Sequence, residues 1–302
     1  MQSISTPPKV WQIGSLLSWA AAHLAERGVE DARLNVDLLL AHVLSLDRLG
    51  LYLQFDRPLS PAELEQFRTL FKRRREREPL QYILGETDFM GLRLWVDPTV
   101  LIPRPETEQV VEQALEILSR AGLEHPRVLD IGTGSGNIAI AIAHRLPASA
   151  VTAVDKSTAA LRVAERNVRR HGLENVRLLE LDILSDLALE ETFDLVISNP
   201  PYVPASEFET LEPEIRQFEP RDAVTDSGDG SAFLRRILNL APRLTTPGGA
   251  VVVEIAWNQA EVARRVALEE GLEEVRVAED YAGNPRILVC RSGARKKGSH
   301  RL

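Results

Sequence analysis

An asparagine, two prolines and a tyrosine directly follow an apolar segment, at residues 199–202. The Asn199 side-chain oxygen and a proline-fixed backbone carbonyl would give two hydrogen-bond acceptors in a set arrangement, and Tyr202 would add a flat face. Two such acceptors fit a planar NH₂ group. On its own the tetrapeptide is more typical of a turn that closes a strand. Together with the motifs upstream it predicts a site that holds an amide or amine nitrogen, lined by Asn199, Pro200, Pro201 and Tyr202.

A glycine-rich turn separates an apolar strand from a helix further upstream. Small residues let a ligand lie against the backbone, and the free N–H groups of a helix N-terminus would face that ligand. A dinucleotide fingerprint needs glycine at the sixth position of G-x-G-x-x-G, but Asn137 occupies that place and the spacing is G-x-G-x-G. A plain strand-to-helix turn is the alternative. The predicted ligand-binding residues are Gly132, Thr133, Gly134, Ser135 and Gly136.

Acidic residues follow the next two expected strands. Asp155 stands at the distance where a carboxylate meets ribose hydroxyls, and the glycine turn upstream favours this role over the alternative of an acid at a helix N-terminus. Asp182 and Ile183 stand where side chains could face an adenine ring, although Asp182 could simply cap a turn. With the residues around Asn199, this order favours in-line transfer of a methyl group to nitrogen, driven by orientation and hydrogen bonding, without a strong base.

Strands and helices alternate from residue 127 onward, which is typical of a parallel sheet covered by helices on both faces. The pattern predicts strands at residues 127–131, 150–154, 176–180, 193–198 and 249–255, with helices at 138–145, 158–171, 231–241 and 259–270. Segments 275–279 and 286–290 are joined by a link too short for a crossover helix, so we expect an antiparallel pair. Ligands bind beyond the carboxyl ends of such strands, near the switch in strand order. The glycine turn and Asn199 should therefore share one site.

Four parts of the chain are distinguished by these patterns. Residues 1–84 are predicted to form a small all-helical domain, 85–104 a β-hairpin connector, 105–290 the α/β domain, and 291–302 a basic disordered tail. The helical domain has no evident catalytic cluster. Its run from Lys72 to Arg77 is typical of a solvated helix face, and contact with a protein partner is the open alternative.

Composition excludes several classes of protein. The chain has 302 residues and a net charge of −8, which weighs against a surface that covers nucleic-acid phosphates. No apolar run approaches the roughly 18 residues of a membrane-spanning helix, and the N-terminus does not resemble a signal peptide. The single cysteine, Cys290, cannot form an intrachain disulfide, so we expect a cytoplasmic protein. The six histidines are scattered, so we predict no metal site.

The ordered set of motifs resembles class I S-adenosylmethionine-dependent methyltransferases that act on nitrogen. Residues 77–85, 101–108 and 219–223 narrow the resemblance to the HemK-like peptide chain release factor glutamine methyltransferases, over about residues 11–290. The expected fold is a Rossmann-like methyltransferase sheet with a terminal antiparallel strand pair, preceded by a small all-helical N-terminal domain. Adenine-N6 methyltransferases share the Asn-Pro-Pro-Tyr segment, so the whole set carries the resemblance.

The resemblance implies transfer of a methyl group from S-adenosylmethionine to the side-chain amide nitrogen of the glutamine in the Gly-Gly-Gln loop of class 1 release factors. By position, the glycine turn would surround the methionine part, Asp155 the ribose, and Asp182 with Ile183 the adenine, while Asn199, Pro200, Pro201 and Tyr202 would hold the glutamine amide. Many relatives have an aromatic residue where this chain has Ile183, so aliphatic contact would replace stacking.

Two other substrates remain open at this stage, namely a glutamine of a ribosomal protein and adenine N6 in nucleic acid. A nucleotide-sensing or dehydrogenase-like binding domain is a further alternative, which Asn137 at the sixth fingerprint position disfavours. We expect neither membrane nor direct nucleic-acid partners.

Overall fold

The computed structural model describes residues 10–185 and 189–293, and these form two compact units. Unit 1 contains the described residues up to Gly85 together with Pro213–Phe218. Unit 2 contains Glu86–Glu212 and the described residues from Glu219 onward. None of the helices in the described part of the chain combines the length and apolar character that crossing a bilayer requires.

Unit 1 is helical, as expected for the N-terminal domain. Its helices are α1 (Ile13–Ala25), α2 (Ala32–Leu44), α3 (Arg48–Leu53), α4 (Pro61–Arg75), α5 (Leu80–Leu84) and α9 (Pro213–Phe218). Helix α4 begins with a capping box, in which Ser60 and Glu63 satisfy each other's backbone N–H groups, and Pro61 occupies its first turn. The apolar faces of α1, α2 and α4 enclose a core that includes Leu17, Leu40 and Phe67.

The basic run at the end of α4 does not form a uniformly solvated face. Arg73 donates to Glu78, while Arg74 and Arg77 both donate to Glu214 on α9. Arg74 is 6% exposed, and its Nε also donates to Asn35. Three of the five cations in this run therefore form ion pairs within unit 1, and Arg74 needs its carboxylate partner because its guanidinium is buried. The interpretation as a solvated face was therefore wrong for Arg74, and contact with a protein partner stays a prediction.

Unit 2 is built on a seven-stranded sheet within the described residues, in the order β5-β4-β3-β6-β7-β9-β8. The strands β3 to β7 are parallel, and β9 and β8 are added antiparallel at one edge. This confirms the predicted fold class. The strands of the sheet are β3 (Arg127–Ile131), β4 (Ala150–Asp155), β5 (Val176–Glu180), β6 (Phe193–Ser198), β7 (Thr245–Glu254), β8 (Leu272–Glu279) and β9 (Pro285–Ser292).

Helices cover both faces of the sheet, because its strands are apolar on both sides. One core lies under α6, α7 and α8, and the other lies under α11 and α12. The helices of unit 2 are α6 (Pro105–Ala121), α7 (Asn137–Arg145), α8 (Thr158–Arg170), α10 (Arg221–Val224), α11 (Ala232–Leu244) and α12 (Ala260–Glu269), with a short 3₁₀ turn at Phe208–Thr210.

The hairpin of β1 (Glu86–Phe89) and β2 (Leu92–Trp95) belongs to unit 2. The Trp95 backbone N–H donates to Asn167 on α8, and Asn167 donates back to the Trp95 carbonyl. The Met90 N–H donates to Glu108 on α6. These bonds anchor the hairpin to α6 and α8, and the role of residues 85–104 as a connector stays a prediction.

The last strand corrects the predicted start of the basic tail. Strand β9 continues to Ser292, where Leu272 is its register partner, so the sheet includes two residues that we had assigned to the tail. Of the rest of the predicted tail, residues 294–302 lie outside the described residues.

Candidate active site

A cavity of about 460 Å³ opens beyond the carboxyl ends of β3, β4 and β6, within unit 2. The strand order reverses between β3 and β6, and this is the place where open α/β sheets bind ligands. The volume suits a small organic ligand. The predicted residues that line the cavity are Gly132, Thr133, Gly134, Ser135, Asp155, Asp182, Ile183, Asn199, Pro200 and Pro201. Gly136 and Tyr202 are not among the lining residues.

The glycine turn is held against the end of β4. The Gly132 and Thr133 N–H groups both donate to the Val154 carbonyl, and the Gly134 N–H donates to Asp155 Oδ2 at 2.9 Å. Both Gly132 and Gly134 have a positive φ, and a Cβ built on either would meet no described atom within 4 Å. Protein packing therefore does not keep these positions small, and a ligand can approach their backbone closely.

Gly136 is small for a different reason. A Cβ at Gly136 would lie 3.0 Å from the Ile140 side chain and 3.3 Å from Ala164, and its φ is +83°. This glycine lets α7 begin close against α8, and it does not line the cavity. Gly136 therefore has a packing role, and its predicted contact with the ligand stays a prediction.

The acidic residues predicted to bind a nucleoside lie at the cavity. Asp155 accepts from Gly134 N–H through Oδ2 and from Ser157 N–H through Oδ1, and each oxygen keeps a lone pair for a ligand hydroxyl. Asp182 is exposed and accepts from the Leu184 N–H, whereas Ile183 is 5% exposed and offers an apolar wall.

Buried polar atoms next to the turn have no partner in the described part of the chain. These atoms are Asp130 Oδ1 and Ser135 Oγ. The other Asp130 oxygen accepts from Thr133 Oγ1, and burial raises the pKa of Asp130 to about 7. Of these two residues only Ser135 lines the cavity, and its unpaired hydroxyl indicates that a polar ligand completes the hydrogen bonding there.

The segment after β6 begins in register with the glycine turn. Ser198 pairs with Ile131 across the two parallel strands, and its hydroxyl donates to the Ile131 carbonyl at 2.7 Å. Gly132 and Asn199 therefore leave neighbouring strands at the same level. Within the described residues, neither Asn199 Oδ1 nor the Pro200 carbonyl oxygen receives a hydrogen bond. Two free acceptors thus stand at the mouth shared with the turn.

A buried series of hydrogen bonds runs from Asn199 to Glu254. Asn199 Nδ2 donates to Thr107 Oγ1 at 3.0 Å, and Thr107 Oγ1 donates to Glu254 Oε2 at 2.7 Å. The Tyr202 hydroxyl lies 3.3 Å from Glu254 Oε1. Thr107 is in the first turn of α6 and Glu254 ends β7, the strand next to β6. These hydrogen bonds therefore link α6, β7 and the segment after β6 at the carboxyl edge of the sheet.

Burial raises the pKa of both ionisable groups in this series of hydrogen bonds, Glu254 and Tyr202. It raises the pKa of Glu254 to about 7, against the lowering effect of the Thr107 and Tyr202 hydrogen bonds and of the Arg286 charge. Burial and the nearby Glu254 also raise the pKa of Tyr202, so its phenol keeps its proton near neutral pH. Tyr202 therefore donates to Glu254 and is not among the lining residues, and its predicted contact with the substrate amide stays a prediction.

An ion pair joins two segments that line the cavity. Arg104 Nη2 donates to Glu219 Oε1 at 2.6 Å, next to lining residues Pro103 and Pro220. Glu219 is 6% exposed, and burial raises its pKa in spite of the attraction of Arg104. The pair holds residues 99–103 and 220–223 together at this side of the cavity.

Our sequence reasoning assigned no role to Thr107, Glu254, Arg104 or Glu219. Glu254 had a signal, since it is a single charge inside the otherwise apolar run 250–255. The other three lie in motifs that we used only as marks of a resemblance. Sequence alone does not show which of them meet.

Comparison with known proteins gives the class first. A family model described as a methyltransferase domain matches residues 123–285, and one described as the PrmC N-terminal domain matches residues 15–85. Unit 2 therefore has the class I methyltransferase fold, which agrees with its sheet order and cavity.

Similar proteins then define the family. The chain is 45% identical over 286 residues to the release factor glutamine methyltransferase of Geobacter sulfurreducens, covering 95% of this chain and 99% of that protein. It is 44% identical over 289 residues to the protein of the same name from Chlorobaculum tepidum, covering 93% and 98%. The chain belongs to the release factor glutamine methyltransferase family, which confirms the resemblance predicted from the motifs.

Proposed function

We propose that this protein transfers a methyl group from S-adenosylmethionine to the side-chain amide nitrogen of the glutamine in the Gly-Gly-Gln motif of class 1 release factors. Its family membership supports the reaction. The observation that carries the proposal in the structure is the pair of free acceptors, Asn199 Oδ1 and the Pro200 carbonyl, at the mouth shared with the glycine turn.

The cavity fits S-adenosylmethionine by its donor and acceptor groups. Asp155 has lone pairs for ribose hydroxyls, and Ile183 offers an apolar wall for adenine. Gly132 and Gly134 leave open space beside the backbone, and Ser135 has an unpaired hydroxyl for the methionine part. When bound, this donor supplies a methyl carbon on a sulfonium, and the sulfur keeps the electron pair of the broken S–C bond as the new N–C bond forms.

Asn199 and Pro200 would hold the nucleophile. A glutamine amide has two N–H groups, and one would donate to Asn199 Oδ1 and the other to the Pro200 carbonyl. These bonds would hold the nitrogen towards the donor's methyl carbon and draw electron density onto it, because both acceptors polarise the N–H bonds. When nitrogen gains its new bond, one N–H proton leaves to solvent, so the site needs no strong base.

The helical domain and the location of the protein are part of this proposal. We assign recognition of the release factor to unit 1, because it has no evident catalytic cluster of its own. We expect the protein in the cytoplasm, where release factors act in translation, and we expect no direct binding to nucleic acid, in line with the net charge of −8.

Mass spectrometry of a release factor after incubation with the protein and S-adenosylmethionine tests the reaction. We expect a single added methyl group on the glutamine of the Gly-Gly-Gln motif. A release factor with glutamate in place of that glutamine is the matched control and should gain none. Methyl groups found in a ribosomal protein or in DNA, with none in the release factor, would overturn the proposal.

A further inference from the structure

Two buried residues behind Asn199 have no role in the reaction as described so far. Thr107 is fully buried and Glu254 is 1% exposed, yet both are polar and they contact each other. Burying a carboxylate is costly unless hydrogen bonds compensate. Glu254 has two such bonds, from Thr107 and from Tyr202, and both reach the segment that carries Asn199.

The number of available protons fixes the direction of each hydrogen bond between Asn199, Thr107 and Glu254. A threonine hydroxyl has one proton to donate, and an ionised carboxylate can only accept. When Glu254 is ionised, it therefore accepts a hydrogen bond from the Thr107 hydroxyl. The Thr107 oxygen can then only accept a hydrogen bond from Asn199. The Asn199 side chain must then turn its NH₂ group to Thr107, which agrees with the observed donation from Nδ2.

We infer that Thr107 and Glu254 are positioning residues that fix the amide orientation of Asn199, so that its Oδ1 is presented to the substrate nitrogen. This inference rests on the proposed function, in which Asn199 Oδ1 accepts from the glutamine amide. If the amide were flipped, its NH₂ group would face the substrate NH₂ group, and the hydrogen bond that holds the nucleophile would be lost. Fixed orientation is the kind of preorganisation on which such a site depends.

The ionisation state of Glu254 should control this orientation. A protonated Glu254 can donate its own proton to Thr107, and Thr107 could then donate to Asn199 Oδ1 in the flipped state. The ionisable groups that act on Glu254 are Tyr202, Arg286 at the start of β9, and Glu106 on α6. The proton comes off as the pH rises through the raised pKa of Glu254, about 7, so methyl transfer should increase with pH over that range.

Replacing Thr107 tests the inference directly. Thr107→Val keeps the size and removes the hydroxyl, and we expect kcat to fall on the order of 10- to 100-fold, as when an orienting hydrogen bond is lost around a reactive group. The dissociation constant for S-adenosylmethionine, measured by calorimetry, should stay within about twofold, because Thr107 is not among the residues that line the cavity. Thr107→Ser restores the hydroxyl and should recover most of kcat.

A second buried threonine provides the matched control. Thr245 lies at the opposite end of β7 from Glu254, is 2% exposed, and donates its hydroxyl to the Ala241 carbonyl. Thr245→Val removes a buried hydroxyl bond of the same kind. It should lower the melting temperature without changing kcat, so it separates loss of stability from loss of orientation.

The pH profile provides a measurement that does not depend on Thr107→Val folding. In the unmodified protein, kcat should rise with pH through an inflection near the pKa of Glu254. In Glu254→Gln this inflection should be absent, since the amide does not titrate. An unchanged profile in Glu254→Gln would overturn the inference, as would unchanged kcat in Thr107→Val or no recovery in Thr107→Ser.

Failure of the inference can be told apart from failure of the proposed function. If Asn199 Oδ1 holds the substrate but Thr107 does not position it, Asn199→Ala loses activity and Thr107→Val keeps it. If Asn199→Ala also keeps full activity on the release factor, the proposed role of Asn199 itself is wrong.

Discussion

At the scale of single residues, the site depends on acceptors that the fold leaves unpaired. Asn199 uses its NH₂ group for Thr107, while its Oδ1 and the Pro200 carbonyl have no donor among the described residues. A free acceptor at a cavity costs little where water reaches it, and it is available to a substrate. This explains why a site for a neutral amide can be built without an ionised base.

Asn199→Ala should separate catalysis from donor binding. We expect kcat to fall by on the order of 10²- to 10³-fold, the usual cost of removing one preorganised hydrogen-bonding group from a reacting centre. The affinity for S-adenosylmethionine should change little, because the lost acceptor acts on the incoming nitrogen. Rapid-quench kinetics and calorimetry on the same preparation measure the two effects, and equal losses in both would contradict this role.

Asp155→Ala should do the opposite. This change removes the acceptor proposed for the ribose and also the bond that holds the Gly134 N–H. We expect affinity for S-adenosylmethionine to fall at least about tenfold, the equivalent of 1.4 kcal/mol. With saturating donor, kcat should recover substantially. Asp182→Ala, at an exposed cavity residue, is the comparison and should have a smaller effect on affinity.

At the scale of elements, the sequence predicted the strands of the sheet well and the short helices poorly. Strands β3, β5 and β6 have the predicted bounds, because each is a short, mostly apolar segment in a regular alternation of strands and helices. Helices α3, α5, α9 and α10 have four to six residues and were not predicted, since so few residues cannot establish a helical period. Their positions depend on tertiary contacts.

The same limit applies to the site. The glycine turn, Asp155 and Asn199 each follow a strand directly, so the predicted topology brought them together. Thr107 and Glu254 are separated by 147 positions, and only the register of α6 and β7 makes them neighbours. Polar contacts between distant elements depend on side-chain placement, which periodicity does not encode.

The ion pair between Arg104 and Glu219 joins two loops at one wall of the cavity, and replacing Arg104 tests its contribution to stability. In Arg104→Met, Glu219 is left buried without a counter-charge, and we expect a loss of about 2 kcal/mol in the free energy of unfolding, below the usual range for fully buried pairs because Arg104 is 28% exposed. Urea denaturation measures the loss. Adding Glu219→Gln should recover part of it. No recovery in the double variant would mean that the pair does not join these segments.

At the scale of the whole molecule, unit 1 is assembled from two separate stretches of chain. Glu214 is in the second stretch and pairs with Arg74 and Arg77 from the first. The side chains of Arg74 and Glu214 are 7% and 13% exposed. Such a pair is costly to break, since the remaining charge has no solvent to replace its partner.

Glu214→Ala should therefore destabilise unit 1 by about 3 kcal/mol, while the exposed pair of Arg169 and Glu165 provides a control. Glu165→Ala should cost less than about 1 kcal/mol. Hydrogen exchange followed by mass spectrometry should show faster exchange in α2 and α4 of the Glu214 variant. Equal, small effects of both substitutions would show that the Glu214 pair contributes little.

Because unit 1 combines two distant stretches of sequence, its N-terminal helices are synthesised well before α9, which completes the unit. The N-terminal helices emerge from the ribosome long before Glu214 is made. During that interval Arg74 lacks the Glu214 carboxylate, its ion-pair partner in the folded unit. A polypeptide that stops or is cut before α9 keeps this defect permanently. Such incomplete products should be prone to proteolysis, and the helical part should become resistant only once translation has passed Phe218.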